Sequence, residues 1–548
     1  MSVSVISADV LVIGGGQAAL RAAIEARRQG AKVAVVSKGR VGAGGSSAIS
    51  DTVHSAIMAP GDSPEVFYRD ILKGGRQINN PELARALAED CTERVRELVE
   101  EFAVELQWDE ELITPGHSYP RRLYHSKGQG VMITKRLRDY AEAAGVRFYE
   151  KTWVMDLLTD AGWEDPAEFR PGGFEWRGIN RFDPLSVGKV RSGGKRVRGA
   201  VGWSKSGWMV FVAGSTILAT GGVGRLYAHS DNPVDVTGEA LGMAWRHGVC
   251  LQDMEFVQFY PYRLVSPINI DLFTKLFQKG AVMRNERSVR FLQDYPRKEL
   301  ETRDIVCYEM FKQKKVLLDV SRIGEKDLAE SSPRLHALLE KGYRGELVMS
   351  PVEHYSMGGI SIDPRGRTNL SGLYACGECT GGVHGANRLG GGALTEALVF
   401  GARAGRAAAE EAEAPTELFA RKAARQLTAG CGRLNLEEVE RRGREIRKRL
   451  QAIMWSGVGI ERTAEGMWKA AKQLDAMVEE VWSCPPLMDM LQVSRIIAHC
   501  ARLREESRGA HRVVEHPAQK KEWQGNLVVQ GESVTFRPRP GVEGDQVS

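Results

Sequence analysis

The 548-residue chain has no apolar run of about eighteen residues, the length a helix needs to cross a bilayer, so the sequence argues against a membrane span. Met1–Ala8 is too short for a secretory leader and has no basic start, and residence in the cytoplasm is the default expectation. Cysteine is sparse, with eight residues at 91, 250, 307, 376, 379, 431, 484 and 500. Only Cys376 and Cys379 form a C-x-x-C, and no second pair completes a zinc site or an iron–sulfur pattern. The pair lies in a glycine-rich stretch and reads as ligand-loop packing, with a redox dithiol as the alternative. A large charge excess is missing too: 75 basic against 70 acidic residues give +5. No polybasic run is interleaved with aromatics, so nucleic acid is not an expected partner. Arg421–Arg449 is rich in Arg, but Glu437, Glu438, Glu440 and Glu445 are mixed in. It reads as a solvated helix face, with an acidic partner as the alternative.

What is present is ordinary for a globular chain of two to four domains: 43% hydrophobic and 26% charged residues. The apolar run Val10–Ile13 ends in Gly14-x-Gly16-x-x-Ala19, followed by an Ala-rich helix and a second strand, Lys32–Val36. This spacing predicts a βαβ unit that binds a dinucleotide. Gly14 makes the tight turn, Gly16 lets a pyrophosphate approach the helix N-terminus, and Ala19 permits close helix–strand packing. The carboxylate expected after the second strand is absent. Ser37 and Lys38 stand there, which argues against a simple NAD site. The small-residue segment Gly42–Ser50 reads as another ligand loop.

Helices are expected over Pro81–Phe102 and Gly130–Ala144, and strands over Arg196–Trp203 and Trp208–Ala213. A further strand is expected over Ser215–Gly222, ending in a Thr-Gly-Gly turn at the cofactor. Ala161–Gly193 reads as an insertion in a hairpin, either surface decoration or a docking surface carrying Trp163, Phe169, Phe174 and Trp176. From Glu239 to Met349 the pattern turns irregular, as for a cap domain inserted between two parts of the nucleotide domain. Residues Pro415–His511 are helical in period, and Asn526–Gln530 and Val534–Arg537 read as short strands.

The chain is organised around Pro351–Gly405. Eleven of the forty-two residues Pro351–Gly392 are Gly, and among them stand His354, Glu378, His384 and Arg388. Glycine at this density lets backbone approach a large ligand. Leu373 and Tyr374 read as a strand, and Ala393–Ala404 as a helix.

Several motifs together resemble the flavoprotein subunits of succinate dehydrogenase and fumarate reductase, a family that includes L-aspartate oxidase. They are VLVIGGG at Val10, ILATGG at Ile217, TGEALGMA at Thr237, DMEFVQF at Asp253 and TRD at Thr302. EHYSMGG at Glu353, GLYACGEC at Gly372, GVHGANRLGG at Gly382 and REESRGAH at Arg504 continue the series. The resemblance runs from Asp9 to about Trp523. It implies an α/β fold: a Rossmann-like FAD-binding domain (1–238 and 351–412) with an inserted α+β cap domain (239–350). A C-terminal helical domain (413–515) and a tail (516–548) complete it.

By resemblance FAD is lined by Gly14, Gly15, Gly16, Ala19, Lys38, Ser46, Ser47, Thr220, Gly221, Glu239, Glu378, Ala393 and Leu394. The helix that starts near Gly392 would aim its positive end at the flavin. Many respiratory members attach FAD through a His. Ser46 stands at the matching position and Gly39–Ser50 holds no His, so non-covalent FAD is expected. The resemblance further implies an enzyme in which hydride passes between flavin N5 and a small carboxylate. Thr274, His354 and Arg388 would bind the substrate and Arg303 would transfer the proton. An iron–sulfur partner would carry the electrons, with membrane association only through other subunits.

Two departures stand out. The family's QFHP is Gln258-Phe259-Tyr260-Pro261 here, so Tyr260 replaces a binding His and offers one hydrogen bond without charge. In the family a Glu relays protons to the proton-transferring Arg, and Lys275 stands at that position here. Either Lys275, its pKa lowered by Arg303, relays protons, or the substrate is neither fumarate nor succinate. His511 and Arg508 are assigned to domain packing. An electron-transfer subunit with a degenerate carbon site, and an oxidase like L-aspartate oxidase, remain as alternatives.

Overall fold

The computed structural model describes residues 3–51, 53–125, 130–161, 195–430, 436–481 and 485–539. The insertion expected at Ala161–Gly193, with Trp163, Phe169, Phe174 and Trp176, falls outside the described residues apart from Ala161.

Strand β1 (Ser4–Ile13) leads through Gly14–Gly16 into α1 (Gln17–Arg28) and then β2 (Val33–Val36), the expected βαβ unit. Val10, Leu11 and Val12 are fully buried, as a strand covered on both faces requires. A short helix α2 (Gly45–Ile49) follows, and β3 (Arg147–Tyr149) pairs in parallel with β2. β4 (Trp153–Thr159), β5 (Val197–Ser204) and β6 (Gly207–Leu218) form an antiparallel meander. β6 returns parallel to β1 and closes the sheet order β3-β2-β1-β6-β5-β4. The two strands expected at Trp208–Ala213 and Ser215–Gly222 are this single strand. Pairing with β1 runs on either side of Gly214, from Ala8–Ala213 to Val10–Ser215, and carries the strand through the glycine.

Helix α3 (Glu239–Arg246) packs in the same hydrophobic core. A second core is built from Tyr260 to Val352, around a five-stranded antiparallel sheet. It is entered by β7 (Val257–Tyr260) and includes α4 (Thr274–Gln278) and α5 (Arg303–Phe311). The chain leaves it through β8 (Val352–Ser356), which pairs with β7, and rejoins the main sheet as β9 (Leu373–Ala375) beside β6.

Helix α6 (Gly392–Glu410) then crosses α1 closely. A Cβ on Gly405 would lie 2.3 Å from the Ala22 carbonyl oxygen, so this crossing requires glycine. Further helices end with α7 (Pro485–Leu503), and the hairpin Gly525–Gln530/Ser533–Pro538 pairs with Leu251–Gln252. Among the described residues no helix is long and apolar enough to cross a membrane.

Candidate active site

One continuous cavity runs from the Gly14 turn to the second core. At its first end Gly14 has φ +136, and a Cβ there would stand 2.1 Å from the Ala219 carbonyl oxygen. Only glycine fits, and the turn delivers the first turn of α1 to the cavity. The Ser47 hydroxyl accepts from the Gln17 amide at 3.2 Å. Lys38 donates to Thr237 Oγ1 at 2.9 Å and pairs with Glu239. A carboxylate from the start of α3, Glu239, thus stands beside Lys38 at the cavity wall. Thr220, Gly221, Ser46 and Glu378 line the wall, and so do Ala393 and Leu394 in the first turn of α6. Gln17 Nε2 donates to the Leu394 carbonyl at 2.8 Å and ties the two helix N-termini together. Glu378 accepts from the Ser356 amide at 3.1 Å, and burial pushes its carboxyl up to about 7. Ala19 is fully buried in the main core and does not face the cavity, so its role is packing alone.

The other end of the cavity brings Tyr260, Thr274, Lys275, Arg303, His354 and Arg388 together. Arg303 opens α5, donates to Gln258 Oε1 at 3.0 Å, and lies 5.0 Å from the Tyr260 ring centroid. Gln258 Nε2 donates to Asn387 Oδ1 at 2.9 Å and to the Arg388 carbonyl at 3.0 Å. Gln258 therefore joins the two arginine-bearing segments, a role the sequence reading missed.

Arg388 is 4% exposed. It bonds the neighbouring Leu389 carbonyl at 3.3 Å, lies 4.4 Å from the Tyr355 ring centroid, and leaves Nε without a partner. Burial, and then the charge of Arg303, push its guanidinium down to about 9. His354 Nδ1 is 2.7 Å from Asp231 Oδ2, and its ring stacks on Tyr260 at 4.8 Å. Burial lowers the His354 pKa against the opposing effect of Asp231.

The expectation for Tyr260 needs correction. Its hydroxyl donates to the Leu272 carbonyl at 2.5 Å, and burial pushes its pKa well above the ordinary value. Tyr260 supplies an aromatic wall under His354 and Arg303, and its hydroxyl is already engaged.

Asp51, Asp231 and Asp271 line the same cavity and were not singled out from sequence. Burial, then Asp271 and Asp231, push Asp51 up to about 8 against the pull of Arg122 and Arg303. The only signal for it was position, one residue past the small-residue loop Gly42–Ser50.

Of the remaining residues, His384 pairs with Glu396 at 3.0 Å and does not line the cavity. Cys376 and Cys379 are buried free thiols. Burial pushes the Cys379 thiol up to about 11, which suits packing rather than redox exchange. His511 and Arg508 are buried in a polar network with Arg462, Arg504 and Glu506.

The FAD binding domain family matches residues 9–394, and the family described as fumarate reductase flavoprotein C-term matches residues 480–540. The chain belongs to the succinate dehydrogenase/fumarate reductase flavoprotein family. It is 31% identical over 562 residues to a subunit of the fumarate reductase (CoM/CoB) of Methanothermobacter marburgensis, covering 95% of this chain and 96% of that one. It is 32% identical over 538 residues to L-aspartate oxidase of Halobacterium salinarum, covering 92% and 96%. Among solved structures, a quinol-fumarate reductase with menaquinol molecules superposes with a TM-score of 0.81 at 25% identity, over all of both chains. Mycobacterium smegmatis Sdh1 gives 0.76 at 27% identity, over 99% of this chain and 96% of that one.

The protein is thus an FAD-dependent oxidoreductase of the class acting on CH–CH or CH–NH bonds. The cavity fits FAD. It offers a glycine turn that a Cβ would close, two helix N-termini at one wall for negative charge, and the Lys38–Glu239 pair beyond β2.

Proposed function

We propose that this protein is the flavoprotein subunit of an oxidoreductase that moves a hydride and a proton across the C–C bond of a small carboxylate. The observation that carries this reading is the pair Arg303 and Arg388 on one cavity wall. Arg388 is buried, unpartnered at Nε, and repelled by Arg303. A buried guanidinium in that state calls for an anion, and a planar fork recognises a carboxylate with two parallel bonds.

Bound without a covalent link, FAD supplies or takes the hydride. The chain does the rest. Arg388 holds the substrate carboxylate. Asp231 engages His354 Nδ1 and leaves Nε2 for the substrate, and Thr274 offers a hydroxyl from the start of α4. Arg303 holds the proton that joins the carbon next to the one receiving hydride. An arginine gives up a proton only if it is recharged at once, because its pKa exceeds about 12. Lys275 and Asp51 both face the cavity and are the groups for that task. The electrons pass to an iron–sulfur partner protein, since the chain's own cysteines form no cluster motif.

A second reading has support from one feature. The carboxyls Asp51, Asp231 and Asp271 could face an ammonium group, as an amino-acid substrate oxidised at a CH–NH bond would present.

The test is a titration of the oxidised holoenzyme, following the flavin absorption band. Fumarate, succinate or a related dicarboxylate should perturb the band saturably, and Arg388→Gln should abolish the effect. Perturbation by L-aspartate alone favours the second reading. No perturbation by any of these contradicts both.

A further inference from the structure

Next to Arg303 stands Asp304, a fully buried carboxylate on the first turn of α5. Arg76 Nη2 reaches it at 2.8 Å and also donates to Thr302 Oγ1 at 3.2 Å, while Arg512 Nη2 stands at 3.5 Å. Burial raises the Asp304 pKa, but Arg76, then the Thr302 hydroxyl and Arg512, more than offset it and hold the carboxyl below its ordinary value. The charge is therefore kept, and its charged partners, Arg76 and Arg512, come from distant parts of the chain.

Arg76 is itself held from several sides. Its φ is +58 and that of Gln77 is +62, a left-handed backbone that non-glycine residues rarely adopt. Arg508 Nη1 donates to the Arg76 carbonyl at 2.8 Å, with Glu506 gripping the same guanidinium. The preceding carbonyl, Gly75, accepts from the Ala386 amide at 2.9 Å, two residues before Arg388. One turn, Gly75–Gln77, thus touches the segment that carries Arg388 through its backbone and the helix that carries Arg303 through a side chain.

We propose that Asp304 is a positioning residue for Arg303, and that its clamp by Arg76 and Arg512 sets the spacing between Arg303 and Arg388. Arg303 joins the second core to the cavity, and α5 reaches both cores through Val306 and Cys307. Without the clamp, the first turn of α5 would rely on the Arg303–Gln258 bond and on packing. A small displacement of a group that moves a proton has a large effect on rate. The inference rests on the proposed role of Arg303, and its test has one arm that does not.

The holoenzyme is compared with Arg76→Ala and Arg76→Lys, because Arg76 is partly exposed and belongs to neither hydrophobic core. The first arm is amide hydrogen exchange of the peptide Arg303–Phe311, and the second is fumarate reduction with reduced viologen. Arg76→Ala should speed exchange in this peptide about tenfold without changing β1 or α1. It should also lower kcat about tenfold or more while leaving KM within about twofold. Arg76→Lys should recover most of both. Wild-type exchange and kcat in Arg76→Ala, or no recovery in Arg76→Lys, overturns the proposal. If the wild-type enzyme leaves fumarate untouched, the reading of the substrate fails, and the exchange arm alone decides the clamp.

Discussion

Asp231 Oδ2 lies 2.7 Å from His354 Nδ1 and decides which ring nitrogen faces the cavity. With Nδ1 engaged, Nε2 is the nitrogen left for a ligand. Asp231→Asn keeps the shape but removes the charge that opposes the burial-driven fall in the His354 pKa. KM for the carboxylate should rise about tenfold, the value of a hydrogen bond to a charged group of about 1.5–3 kcal/mol at its lower end. Steady-state kinetics on the variant check this, with bound flavin content unchanged.

Arg388→Gln separates binding from stability. Removing one partner of a buried charge–carboxylate contact costs about 2–5 kcal/mol, so substrate affinity should fall at least about thirtyfold. The unliganded protein should not lose stability, because the substitution removes a buried charge that Arg303 repels. Calorimetry without ligand should show an equal or higher Tm. A lower Tm would mean that Arg388 serves the fold.

The pH dependence of the flavin-free protein has a definite sign. Asp51 moves from an ordinary 3.8 to about 8 on folding, and Glu378 from 4.5 to about 7. Between those values the folded state holds protons that the unfolded chain has lost. Their stabilisation is complete below about pH 4 and disappears as the pH rises through about 8. Tm should therefore fall from pH 6.5 to pH 8.5, and Asp51→Asn should flatten the fall.

Much of this site follows from local pattern, and the rest from contacts between distant segments. The Gly14 turn, β1 and α1 were readable because strand, glycine turn and helix are written in consecutive residues. The Gly-rich return was readable because glycine density has few other uses. The roles of Gln258 and Asp231 follow from contacts with residues far along the chain, Asn387 and Arg388 for one and His354 for the other. Tyr260 illustrates the same limit, since its hydroxyl is committed to the Leu272 carbonyl, twelve residues on. Gly214 split one strand into two in the sequence reading, although β1 pairs across it.

The flavin should be held without a covalent bond. Precipitating the holoenzyme with acid should leave the yellow colour in the supernatant. Flavin that stays with the pellet would place a linkage on a residue other than Ser46.

Gly14→Ala tests the cofactor end. The new methyl would meet the Ala219 carbonyl oxygen at 2.1 Å in a backbone conformation that L-residues avoid. The loss should be at least about 2 kcal/mol in urea unfolding, with flavin content greatly reduced.

The central claim is that Arg303 and Arg388 hold a small carboxylate for exchange of a hydride with FAD. The most direct measurement mixes anaerobically reduced holoenzyme with fumarate, with a panel of unsaturated carboxylates, and separately with O2, following the flavin band in a stopped-flow instrument. Rapid reoxidation by one carboxylate, lost in Arg303→Ala while that carboxylate still binds, is the predicted result. Reoxidation by O2 alone, or carboxylate turnover that survives Arg303→Ala, would contradict it.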